Sequence, residues 1–263
     1  MLRRATNPVL MTDAARQENE IACRVQTSIL PGEVDVEGLA IAAQMVPAEI
    51  VGGDYYDIIP VEGGCWLAIG DVAGHGLAAG VIMLMIQSAV QSLVRLSPRA
   101  SPRDLVVALN GALYENIQKR MKRDEHVTFC LARYSADGRL VLAGAHESIL
   151  ICRESGQCEE IIPQGTWLGI IEDVSGVTPE TVVQLGPGDL MLLFSDGITE
   201  ADDGKGARFG TDRLRNVLVA NRERSPQEVR NAILDAVLRW SGRTPDDDVT
   251  LLVIRCHGVY WGD

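Results

Sequence analysis

Val127-Thr-Phe-Cys-Leu-Ala-Arg-Tyr-Ser-Ala-Asp-Gly-Arg-Leu-Val-Leu-Ala-Gly-Ala145 reads as two extended arms around a tight turn. Apolar and β-branched residues fill both arms, and Ala136-Asp-Gly138 supplies the turn chemistry between them. Glu154-Ser-Gly156 and Gly186-Pro-Gly-Asp189 repeat that punctuation further along. Connections this short join antiparallel neighbours, because parallel strands need a crossover of a dozen or more residues. The chain is therefore expected to build its sheets from hairpins and meanders.

Working outward, strands are expected at 39–46, 65–72, 127–134, 139–145, 148–153, 181–185, 190–195 and 249–256. Two helix pairs interrupt them, at 76–96 with 102–121 and at 211–220 with 226–240. Ser101 caps the second of these helices, with Pro102 in its first turn and Asp104 near its positive end. Ser225-Pro-Gln-Glu228 has the form of a capping box. A further helix over 12–30, capped by Thr12 or Asp13 and stopped by Pro31-Gly32, carries a thin apolar stripe of Ile21, Val25 and Ile29. Strands and helix pairs segregated in this way indicate an α+β fold with helices on the sheet faces. The organisation is an N-terminal helical segment, 1–30, and one folded domain, 31–263.

The 263 residues are 46% hydrophobic, enough for a substantial core, and 24 Lys+Arg against 36 Asp+Glu leave a net charge of −12. That balance argues against a phosphate-backbone binder, which needs clustered cations. Six cysteines without a C-x-x-C pair indicate free thiols in a reducing cytosol. Met1-Leu-Arg-Arg has no apolar segment behind it, and the apolar run 77–86 is too short to span a bilayer, so a buried helix and a cytoplasmic location are expected.

Four acidic segments stand at strand ends rather than on helix faces: Gly52-Gly-Asp-Tyr-Tyr-Asp57, Gly70-Asp-Val-Ala-Gly-His-Gly76, Ser195-Asp-Gly-Ile-Thr-Glu200 and Asp246-Asp-Asp-Val-Thr250. By contrast Asp137-Gly138 reads as a turn and Asp202-Asp203-Gly204 as a solvated loop. Carboxylates brought together at neighbouring strand ends repel until a proton or a cation relieves them. Hard oxygen donors without thiolate partners favour Mg²⁺ or Mn²⁺ over zinc, and paired ions suit hydrolysis of a phosphoryl group.

In order and interval these segments resemble the metal-dependent PPM (PP2C-type) protein serine/threonine phosphatases, specifically the bacterial SpoIIE/RsbU branch. The matching residues are Ile29-Leu-Pro31, Pro47-Ala-Glu-Ile-Val-Gly-Gly-Asp-Tyr-Tyr-Asp57, 70–76, 195–200 and Asp247-Asp-Val-Thr250. The resemblance implies a β-sandwich of two antiparallel sheets flanked by helix pairs, and makes 31–263 the phosphatase domain. It implies two divalent ions, Mn²⁺ or Mg²⁺, with Asp71 bridging them beside the Val72 carbonyl. Asp196 and Asp247 would hold one ion, Asp54 would act through bound water, and Asp57 and Asp248 are adjacent acids, Asp248 counted with the metal set. His75 is read either as a proton donor to the leaving oxygen or as a shaper of the Gly-rich turn. The implied substrate is a phosphoserine or phosphothreonine on a STAS-domain anti-sigma-factor antagonist, with 12–30 as a contact for a second copy or an upstream regulator.

Two departures stand out. The wider family has an arginine ahead of the first Asp, whereas residues 40–54 hold no Arg or Lys; and Gly144-Ala-His146-Glu-Ser replaces Ala-Gly-His-x-Pro. A dinucleotide loop at Gly74-His-Gly-Leu-Ala-Ala-Gly80 ranks low, since 81–103 contains no acid for a ribose hydroxyl and no βαβ repeat follows. Gly52-Gly-Asp54 also occurs in diguanylate cyclases, but Tyr55-Tyr56 breaks that signature and the other three acidic segments would be left without a role. The remaining alternative is a phosphatase-like scaffold that binds partners with little turnover.

Overall fold

A computed structural model of the chain describes residues 13–48, 51–243 and 246–258. Among the described residues, ten strands pair into two five-stranded antiparallel sheets, in agreement with the hairpin chemistry. The first sheet holds, in spatial order, β1 (Leu39–Val46), β10 (Val249–Cys256), β9 (Leu190–Phe194), β6 (Ile149–Cys152) and β7 (Cys158–Ile161). The second holds β2 (Tyr55–Val61), β3 (Gly64–Val72), β4 (Val127–Ser135), β5 (Arg139–Ala145) and β8 (Glu180–Gln184). The hairpin that opened the sequence is β4–β5, with Tyr134 opposite Leu140.

Each central strand is apolar on both faces. On β3, Cys65, Leu67 and Ile69 face the core between the sheets, while Trp66, Ala68 and Val72 face α2 (Leu77–Leu96) and α3 (Pro102–Tyr114). On β9, Met191 and Leu193 turn inward and Leu190, Leu192 and Phe194 turn toward α5 (Gly210–Ala220) and α6 (Pro226–Ser241). The result is four layers, helices–sheet–sheet–helices, with three apolar cores between them. Helix α2 is long and apolar enough to cross a membrane by length and composition. Its Ile82, Met83, Ile86, Val90 and Val94 are instead buried in the layer beneath it, as a core helix requires.

Local signals hold where caps exist. Ser101 Oγ accepts the Asp104 amide at 3.1 Å, and Ser225 and Glu228 complete the capping box of α6. The expected helix 102–121 changes character at Tyr114, continuing as a π-helical segment, Glu115–Met121. Two strands escape the sequence reading. β2 overlaps the acidic segment and hides its apolar pattern behind Asp57, and β7 is a four-residue edge strand carrying Glu159 and Glu160.

The N-terminal helix α1 (Asp13–Ile29) is present and packs on α2; its expected Thr12 cap lies outside the described residues. Its apolar stripe is divided between surface and core. Ile21 and Val25 are 49% and 45% exposed, and Ile29 alone of the three packs on the α2 core. The buried residue between them is Gln26, 2% exposed.

Candidate active site

Four chain segments meet at one end of the sandwich. Asp71 closes β3, held between Gly70 and Val72, with Thr128 of β4 as its register partner. Asp196 follows β9 and opens a one-turn helix, α4 (Asp196–Thr199). Residues 246–248 lead into β10, and Gly52-Gly53-Asp54 leads into β2. Because β10 lies between β1 and β9, its leading acids are carried directly beside Ser195 and Asp196.

Ser195 ties three of these segments together. Its hydroxyl donates to Asp54 Oδ2 at 2.8 Å and accepts the Thr250 amide at 2.9 Å, while its own amide donates to the Thr250 carbonyl at 2.9 Å. Gly197 permits the approach of α4 to the 246–248 loop, since a Cβ there would stand 2.0 Å from the Asp248 carbonyl oxygen. Asp196-Gly197 is thus more than a turn dipeptide. Asp248, 7% exposed, spends both carboxylate oxygens on backbone: Oδ1 accepts Ala48 N at 2.8 Å, and Oδ2 accepts Gly53 N at 2.7 Å and Asp54 N at 3.5 Å.

The electrostatics follow from that crowding. Burial, followed by the charges of Asp196, Asp247, Asp248 and Glu147, pushes the Asp71 carboxyl up to about 8. Asp54, 1% exposed, is pushed well above the carboxylate range by burial and then by Asp71. Asp196 and Asp247 are raised by burial and next by their neighbouring acids: Asp247 and Glu200 act on Asp196, Asp248 and Glu200 on Asp247. Arg208, ion-paired with Glu200 at 2.5 Å, partly opposes the rise at Asp196. His75, exposed on the turn before α2, does the same for Asp247 and lines with it a cleft of about 260 Å³ together with Ala48, Val51, Gly74, Asp246 and Asp248.

The set fits hard divalent cations by its chemistry: oxygen donors only, mutually repelling, and costly to leave charged without a counter-ion. Among the described residues, no group of three or more His, Cys, Asp or Glu side chains is already closed around a single ion-sized point. The Val72 carbonyl faces the same loop, and Val72 N donates to Gly53 O at 3.4 Å. Asp57 is not part of this cluster. Buried at 2% exposure, it accepts Tyr55 Oη, Gln91 Nε2 and Ile58 N, and lines a separate cavity of about 500 Å³ with Arg95 and Arg133.

Two residues of the divergent Gly144-Ala-His146-Glu-Ser segment belong here without having been singled out. Glu147 contributes charge to Asp71 and is itself raised by burial and by Asp196. His146 joins the two sheets: its Nε2 lies 3.1 Å from the Phe194 carbonyl oxygen and its Nδ1 lies 2.9 Å from Thr128 Oγ1. A carbonyl only accepts, so Nε2 carries the proton and Nδ1 accepts from the threonine. Burial lowers this imidazole to about 4 and keeps it neutral. Its position immediately after an apolar strand was the available signal.

Comparison with known proteins agrees with this geometry. The family model for stage II sporulation protein E (SpoIIE) matches residues 61–257. The phosphoserine phosphatase RsbU of Bacillus subtilis is 30% identical over 244 residues, covering 91% of this chain and 70% of RsbU. Among solved structures, the SiaA-PP2C domain of Pseudomonas aeruginosa superposes with a TM-score of 0.76 at 21% identity, over 93% of this chain and 99% of that one. The RsbU and RsbW domains of Rv1364c from Mycobacterium tuberculosis give 0.71 at 22% identity, over 85% of this chain and 61% of that one. With the fold, the ordered acids and the family match in agreement, the chain belongs to the SpoIIE family, in the SpoIIE/RsbU branch of the PP2C-type protein serine/threonine phosphatases.

Proposed function

We propose that the chain is a metal-dependent phosphatase that removes phosphate from serine or threonine of a STAS-domain anti-sigma-factor antagonist, in the cytoplasm. The observation that carries this reading is the convergence of Asp54, Asp71, Asp196 and Asp247 from four separate segments at one end of the sandwich, each with its proton affinity raised. Asp71, the Val72 carbonyl, Asp196 and Asp247 would hold two Mn²⁺ or Mg²⁺ ions, with Asp54 acting through water. Bound there, the ions supply an activated water and neutralise charge on the phosphoryl group. The protein's own work is positional. Ser195 fixes Asp54, Asp248 fixes the Gly52–Asp54 backbone, and His146 fixes the end of β9 from which Asp196 projects. His75 lines the cleft with Asp247 and would either shape the Gly-rich turn or protonate the leaving oxygen. The sequence of RsbU, a named phosphoserine phosphatase, supports the substrate chemistry, and the exposed Ile21 and Val25 support a regulatory or self-contact through α1.

The test is hydrolysis of an aryl phosphate and of phosphorylated STAS proteins with Mn²⁺, with and without chelator. Turnover that stops on chelation and falls about 10²–10³-fold in Asp71→Asn and Asp196→Asn is expected. Turnover that survives chelation refutes the two-ion reading, and binding of phospho-STAS protein with no turnover favours the scaffold alternative.

A further inference from the structure

Gln26 sits deep under the outer surface of α1, and its amide addresses a single residue of the domain. Nε2 donates to the Gly52 carbonyl at 2.6 Å, and the Gly52 amide donates back to Oε1 at 3.0 Å. A reciprocal pair of this kind fixes both the place and the rotation of a peptide. Gln26 is 2% exposed and Gly52 is buried, so water cannot take over either bond. An apolar residue would fill the space without needing partners; the amide adds registration of the backbone beneath it.

The registered backbone leads straight into the acids. A Cβ on Gly52 would stand 2.2 Å from Asp248 Oδ2, so this peptide lies flush against that carboxylate. Gly53 then donates to Asp248 and accepts from Val72, and the next residue is Asp54. The strip Gly52-Gly53-Asp54 is gripped by the helix on one side and by the acidic cluster on the other. The helix itself is seated on the domain by Ile29 and Leu30, while its outward Ile21 and Val25 remain exposed.

We propose that Gln26 is a positioning residue for the acidic site: by holding Gly52 it sets where Asp54 and Asp248 stand relative to Asp71. Affinity for divalent cation therefore depends on the seating of α1. This deepens the phosphatase reading and rests on it.

Gln26→Met in the full chain keeps length and approximate volume and removes both hydrogen bonds. The measurements are calorimetric titration with Mn²⁺ alone, aryl phosphate kinetics across Mn²⁺ concentration, and thermal melting. The expected result is an Mn²⁺ dissociation constant about tenfold higher, with kcat restored to within about twofold at saturating Mn²⁺ and KM for the aryl phosphate unchanged. A variant that melts earlier but binds Mn²⁺ with wild-type affinity overturns the proposal, since a merely structural glutamine would behave that way. If Gln26→Met does not melt cooperatively, Gln26→Asn, which keeps the amide and withdraws it by one methylene, carries the same test with the same outcomes. Wild-type protein that binds no Mn²⁺ overturns the phosphatase reading itself; wild-type that binds while a folded variant matches it overturns only the role of Gln26.

Discussion

His146 shows how much a single half-buried imidazole settles near a carboxylate cluster. Its ring bridges Thr128 on one sheet and the Phe194 carbonyl on the other, and acceptance of the Thr128 hydroxyl by Nδ1 requires the neutral ring. The sign of the linkage is fixed by the direction of its shift. The unfolded ring takes up a proton below about 6.5 whereas the folded one resists until about 4, so the unfolded state binds more protons in that window and stability falls as pH drops through it. Lowering the pH from 7 to 5 should cost about 1–2 kcal/mol through this residue. Thermal melts of His146→Gln should start less stable at pH 7 and lose less on acidification than wild type. An identical pH slope in the two proteins would contradict the assignment.

At the scale of elements, the loop after β7 is held by one helix rather than by its own structure. Asn110 of α3, fully buried, donates to the Ile171 and Glu172 carbonyls at 3.0 and 3.1 Å and accepts the Gly169 amide at 2.9 Å. Gln118 adds a bond to the Gly169 carbonyl at 2.9 Å. Leu168 in turn pairs with Val127, the neighbour of Val72, so the loop borders the β3 end that carries Asp71. Asn110→Ala should destabilise by about 1–3 kcal/mol, and amide exchange should accelerate at 168–172 ahead of β3 and β4. Global destabilisation without that local signature would show that the asparagine serves the helix instead. Little of this was legible beforehand. Asn110 sits in an ordinary helical pattern, and its partners are backbone groups some sixty residues away. The central strands were legible for the opposite reason: burial on both faces makes β3, β9 and β10 continuous apolar runs, which need no partner to be recognised. β2 was missed because its acids drew the reading toward chemistry, and Gln26 because a lone glutamine on a polar helix carries no pattern.

Across the whole molecule, the net charge of −12 is unevenly distributed in its effects. Asp54, Asp71, Asp196, Asp247 and Glu147 share one end of the sandwich and raise one another's proton affinity. Cations that bind only the folded state should stabilise the protein by about 2.7 kcal/mol at one hundred times the dissociation constant. Melting followed against Mn²⁺ should therefore rise by about 5–10 °C and return to baseline with chelator. In Asp196→Asn the rise should shrink; a full rise there would remove Asp196 from the ligand set.

The pairing of β1 with β10 places Leu39 opposite Cys256, and Asp248 reaches back to the Ala48 amide. Sequence neighbours complete much of the second sheet early, but the first sheet closes only with its final strand. During synthesis Asp54, Asp71 and Asp196 therefore emerge well before Asp247. Until that strand arrives, the Gly53 amide lacks Asp248 and the Ser195 hydroxyl lacks Thr250, so the acidic end of the sandwich is the last part of the molecule to be organised.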